Sequence, residues 1–91
     1  MSNKKFDSVW DAIEDDPVRQ ENLKLRSALM IEIAERLREE GLTQKQAAEV
    51  LHITQPRVSA LLNGKINAFR LDSLVDMAHR LGMHVSISVT A

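Results

Sequence analysis

A mainly α-helical fold of five helices, followed by one short C-terminal strand, is what this 91-residue chain predicts. Three observations lead there. Apolar residues recur at helical spacing from position 6 to position 81. Gly41, Gly64 and Gly82 stand where three of those periodic runs stop. From Met83 the pattern switches to strict alternation, the period of a strand. The chain divides accordingly into an acidic N-terminal segment with a short helix (1–16), a helical domain (17–82) and a C-terminal strand (83–91).

Composition sets the outer limits. A chain this short forms one small domain with a modest core. Phe6, Trp10 and Phe69 are the only aromatic residues, so Leu, Ile, Val, Ala and Met must fill the interior. The absence of cysteine excludes disulfides and thiolate metal sites. No apolar run approaches the roughly 18 residues of a membrane span. The first residues, MSNKKFDSVWDAIEDD, carry two lysines but no apolar stretch of a secretory signal, so a cytoplasmic protein with no membrane partner is expected. Net charge is −1, but it is unevenly spread: residues 1–40 sum to −3 and residues 41–91 to +2.

The elements follow in order. Phe6, Val9, Trp10 and Ile13 lie at i, i+3, i+4 and i+7, one face of a short helix capped by Asp7 or Ser8. Such a helix is marginal alone in water. It must dock, either on the first long helix or on a partner protein. Asp15, Asp16 and Pro17 signal the start of that long helix. No Gly or Pro interrupts it before Gly41, and Leu25, Leu29, Ile33 and Leu37, widened by Met30 and Ala34, form its apolar stripe. Leu23, Ala28 and Ile31 fall partly outside that stripe, so the helix is expected to contact two neighbours.

Residues 42–64, LTQKQAAEVLHITQPRVSALLNG, carry the densest signals. Thr43 with Gln46 makes a capping box. Ala47, Val50 and Leu51 then supply one apolar stripe, and His52 and Ile53 break it. Thr54 offers a second N-cap, with Pro56 in the first turn, where its missing N–H costs nothing. Val58, Leu61 and Leu62 make the next stripe, and Asn63 and Gly64 give the stop. Two helices of roughly two turns joined by about three residues have helix-turn-helix geometry. Beyond them, residues 65–70 read as a connecting loop. Leu71, Leu74, Val75, Ala78 and Leu81 define a last helix, with Asp72 in its first turn and Gly82 at its end.

The tail puts Met83, Val85, Ile87 and Val89 on one face and His84, Ser86 and Ser88 on the other. A lone strand leaves its backbone groups unpaired, and no second strand is legible. It is therefore expected to pair antiparallel with its own copy in a homodimer, or with a strand of another protein; a frayed tail is the remaining reading.

The order of residues in 42–64 resembles the DNA-binding helix-turn-helix of the phage repressor/Cro (XRE-like) family. Gln44 opens the first helix, and Ala48 is small where that family's helices cross. Ile53, Val58 and Leu61 match its core positions, Gln55 starts the second helix, and Asn63, Gly64 and Lys65 match its common ending. One residue departs from the pattern: His52 stands where the family usually has Gly in a left-handed turn, a region His tolerates better than most residues. The resemblance implies a repressor-like fold in 17–82 and double-stranded DNA as partner. A recognition helix places its N-terminal residues against base edges in the major groove. Gln55, Pro56 and Arg57 would come first, with Ser59 one turn on. Gln can bridge adenine and Arg guanine, so Gln55 and Arg57 are the expected readers. The family pattern gives Gln44 a phosphate contact and the bracing of Gln55, and sets Asn63, Lys65 and Asn67 on the sugar-phosphate backbone. Lys45 is a further phosphate candidate. A dimer of such helices expects an inverted-repeat operator.

Across positions 6–89 the chain is also similar to small XRE-type antitoxins of the HigA class, which accompany RelE/HigB-like toxins. That likeness implies a repressor of its own operon that neutralises an mRNA-cleaving toxin, with Phe6, Val9, Trp10 and Ile13 as the toxin-binding face. A stand-alone phage- or operon-type repressor and a helical adaptor without DNA binding are the alternatives. An enzyme is not expected. His52, His79 and His84 do not form an i, i+4 pair for zinc, no nucleophile–base or glycine-rich phosphate arrangement is present, and no cofactor or metal is called for.

Overall fold

The computed structural model describes residues 16–91. Four α-helices and one 3-10 turn make up its regular structure: α1 Pro17–Glu39, α2 Gln44–Leu51, α3 Gln55–Leu62, the 3-10 turn Ile66–Ala68 and α4 Leu71–Arg80. The expected N-terminal helix, with Phe6, Val9, Trp10 and Ile13, lies outside the described residues. Two expectations are corrected. The segment after α3 is not simply a loop but contains the 3-10 turn, whose Ile66 is buried. No strand occurs among the described residues: 83–91 run on without regular structure, because a strand exists only by pairing and the chain supplies no second one.

The ends of α1 follow the local chemistry. Asp16 accepts the Val18 N–H at 3.0 Å, and Pro17 occupies the first turn. At the other end the Leu42 N–H reaches back to the Leu37 carbonyl at 3.3 Å and the Gly41 N–H to Arg38 at 3.0 Å, a Schellman turn closed by two leucines. Between these ends the buried face is Leu23, Met30, Ile33, Ala34 and Leu37. Leu25, expected on that face, is 51% exposed. A row of every fourth residue drifts by about 40° per step around a helix of 3.6 residues per turn. The row that begins at Leu25 therefore meets the core only from Ile33 onward, with Leu29 half-buried, and Leu23 takes the place upstream.

α1 packs along α4, and α2 packs against α3. The core between them is wholly apolar: Ala47, Leu51, Val58, Leu61, Ile66, Phe69, Leu74, Met77, Ala78 and Leu81 join the α1 residues, with no buried polar side chain among the described residues. Each fully buried Val, Leu, Ile, Phe or Met among them contributes about 1.5–3 kcal/mol. Val50, expected in the α2 stripe, lies at its edge and is partly open to solvent.

The C-terminal end of α4 is closed as that of α1 is. The Met83 N–H donates to the Ala78 carbonyl at 3.0 Å and the Gly82 N–H to His79 at 2.9 Å. Gly82, at φ 78, supplies the left-handed residue that this second Schellman turn requires. Met83 is its hydrophobic closing residue, packed against the domain's own core. Val85, Ile87 and Val89 remain exposed beyond it.

His52 is the only non-glycine residue at positive φ among the described residues (φ 59, ψ 41). Left-handed backbone costs an L-residue roughly 1–2 kcal/mol, and a β-branched one more. His52→Val is therefore expected to lower the unfolding free energy by the β-branched excess alone, a fraction of that amount, because His52 already bears the rest. His52→Gly should hold it or raise it by up to about 1 kcal/mol, since glycine's own entropy loss offsets part of the relief. Urea denaturation of the two variants checks both; equal stability for Val and Gly would show that the turn carries no strain.

Candidate nucleic-acid interface

The two short helices owe their bounds to side chains immediately before them. Thr43 accepts the Gln46 N–H at 3.1 Å while Gln46 accepts the Thr43 N–H at 2.9 Å, completing the expected capping box of α2. Thr54 caps α3, accepting the Arg57 N–H at 3.4 Å, with Pro56 in the first turn. Between them the left-handed His52 lets the Ile53 N–H reach the Ala48 carbonyl at 3.1 Å, and Ile53 tucks against the core. This turn sets α3 at an angle to α2 and leaves the N-terminus of α3 on the outside of the domain.

Burial of Val58 and Leu61 fixes which way the rest of α3 faces. At about 100° per residue, Pro56 and Asn63 point away from the core, with Ser59 and Ala60 beside them. Pro56 is exposed and Ser59 half-buried, and Asn63 Nδ2 donates to Ser59 Oγ at 3.3 Å along that outer face. Gln55 and Arg57 are about 200° apart around the helix. The structure thus does not bring the two expected readers together: they flank the outer face on opposite sides. Gln55 is exposed at the start of α3, and Gln44 at the start of α2.

The flank that carries Arg57 has a feature the sequence reading missed. The Arg57 guanidinium lies 4.5 Å above the centroid of the Phe69 ring, and Phe69 is buried. Arg26 of α1, through Nη1, donates to the Phe69 carbonyl at 3.0 Å, and its Nε donates to Asn22 Oδ1 at 2.7 Å. The available signal is Phe69 itself, the single aromatic residue of segment 17–82, placed in what reads as a connecting loop.

At the end of α3, the Lys65 N–H bonds to the Ala60 carbonyl at 3.0 Å and the Gly64 N–H to Leu61 at 3.1 Å, with Gly64 at φ 71. Asn63 and Lys65 are exposed on either side of Gly64, and Asn67 is exposed on the following 3-10 turn. Lys45, Arg57, Lys65 and Arg70 are all exposed, with Glu49 the one acid between positions 43 and 70. Arg70 comes within 3.9 Å of Asp72, both largely in water, a contact of little energetic weight.

The histidines lie apart from this surface chemistry or at its edge. His52 Nε2 is 3.4 Å from Arg80 Nη1, and the His79 and His84 rings meet edge to face with centroids 6.3 Å apart. No group of three metal-ligating side chains occurs among the described residues. Nor is any helix among them long and apolar enough to cross a membrane.

Two capped helices crossing through a three-residue turn, the second with its N-terminus and outer face exposed, define a helix-turn-helix protein. The chain belongs to the helix-turn-helix domain family whose model matches residues 12–90. Among solved structures it is similar to one described as an XRE family transcriptional regulator, at 29% identity and a TM-score of 0.75, covering 80% of this chain and 82% of that one. No curated protein matches the sequence.

Proposed function

We propose that this protein is a sequence-specific DNA-binding transcriptional repressor. The observation that carries the reading is α3: core-locked through Val58 and Leu61, capped by Thr54, and turned so that Gln55, Pro56, Ser59 and Asn63 are presented at the surface. The family match and the XRE regulator neighbour support it. In this reading Gln55 reads bases in the major groove. Gln44 and Lys45 at the start of α2, and Asn63, Lys65 and Asn67 after α3, hold the sugar-phosphate backbone and set register. Such work needs no catalytic group and no cofactor.

Gln55→Ala is expected to flatten preference at one or two base positions, a loss of about 1–3 kcal/mol of discrimination. Lys65→Ala should weaken all duplexes alike and reduce the salt slope by about 1. Binding titrations over single-base variants of a selected site check both, and Gln55→Ala with undiminished discrimination would remove Gln55 as a reader.

Val85, Ile87 and Val89 expose an alternating apolar edge, Ile87 at 75% and Val89 at 89%, which supports antiparallel pairing of two tails in a homodimer. A dimer places two recognition helices on an inverted repeat with centres about 34 Å apart. Truncation after residue 83 should then leave a folded monomer by sedimentation and shrink the footprint to one half-site; a truncated protein that stays dimeric would locate the interface elsewhere.

The proposed physiological role is that of a HigA-class antitoxin that represses its own operon and neutralises a RelE/HigB-like toxin. The acidic N-terminal segment, in which Phe6, Val9, Trp10 and Ile13 recur at helical spacing in the sequence, supports a basic partner there. Co-expression with the product of the neighbouring gene tests it. Capture of that protein by the whole chain, lost when residues 1–15 are deleted, is the expected result. Absence of capture by the whole chain would leave a stand-alone repressor. Failure to shift any duplex at low salt would leave only a helical adaptor.

A further inference from the structure

We infer that Arg57 is a phosphate anchor held in place by the Phe69 ring, and not a base reader. The inference rests on the DNA-binding reading above and assigns one of its contacts. Arg57 leaves α3 on the flank opposite Gln55, about 200° around the helix. Its guanidinium carbon sits over Phe69, 4.5 Å from the ring centroid. The ring cannot follow a departing guanidinium. Phe69 is 1% exposed, its carbonyl accepts Arg26 Nη1 at 3.0 Å, and its N–H donates to Ile66 at 3.3 Å.

A guanidinium stacked on an aromatic face keeps its N–H edge outward, in the planar fork that fits two oxygens of a phosphate. Stacking also removes much of the rotamer freedom that a surface arginine otherwise loses on binding. The connection that follows α3 offers further groups for backbone contact. Lys65, Asn67 and Arg70 all lie exposed in the connection between α3 and α4. His52, Ser73, Asp76 and Arg80 line the adjoining cleft, so the charge around Arg57 is mixed with a basic excess. Phe69 is then a positioning residue: it touches no DNA but sets where the Arg57 charge sits.

The test uses the whole protein, a duplex selected by the wild type from a randomised pool, and its single-base variants. Arg57→Ala is expected to weaken binding to every variant by the same factor and to make the slope of log affinity against log salt shallower by about 0.9. Phe69→Leu should reduce that slope by less, and should change nothing further once Arg57 is Ala. Unequal losses that single out one base position would make Arg57 a reader and overturn the inference, as would an unchanged slope. A wild type that selects no sequence would remove the sequence-specific reading alone, because the salt slope on random duplex still reports the anchor. A wild type that binds no duplex would remove both. Should Phe69→Leu fail to fold, the Arg57 δ-methylene proton shifts of the wild type decide the ring's part. Ring-current shifts to high field in the DNA complex support the stack, and ordinary arginine shifts there overturn it.

Discussion

The buried Phe69 ties the helix-turn-helix pair to the long helix. Its ring packs in the core, its carbonyl is gripped by Arg26 of α1, and its outer face carries Arg57 of α3. Apart from Phe69, the buried core of the described residues is built from aliphatic side chains and methionine. Such a core fills space well but offers few directional contacts. A ring pinned from the backbone side by one arginine and covered by another supplies direction. It joins α1, the 3-10 turn and α3 at one point, and α4 starts only two residues later.

The two helices that bear the interface are eight residues each, too short to hold helical structure alone. Both depend on threonine caps at the front and on Val58, Leu61, Ala47 and Leu51 facing the core. Polar caps and apolar faces divide the work: caps place the ends, and burial places the faces. The turn between them asks for a left-handed residue, and His52 meets that demand at some cost in strain.

Much of this was legible in the chain. The Thr43–Gln46 box, the Thr54 cap, the Asp16 and Pro17 start and the glycine stops are short-range hydrogen-bond chemistry, and each is found where the spacing puts it. The α1 stripe is less legible in the chain. Leu25 and Leu23 exchange places because a four-residue row winds off the contact line, and the contact line is drawn by α4 rather than by α1. Met83 alternates with its successors as a strand residue would, yet it closes the α4 cap on the core. Period alone does not distinguish the two.

The sequence by itself determined the element order, the caps, the turn and the helix-turn-helix class, because these are set by interactions within a few residues of one another. Only the tertiary structure decided how the candidate site is arranged. Gln55 and Arg57 are two apart in the chain, but the burial of Val58 and Leu61 turns them to opposite flanks. Arg57 and Phe69 are brought together by the packing of a 3-10 turn that carries no strong local signal, and Arg26 reaches the same point from 43 residues away. Contacts of that range are set by the shape of the shared core, which no local pattern encodes.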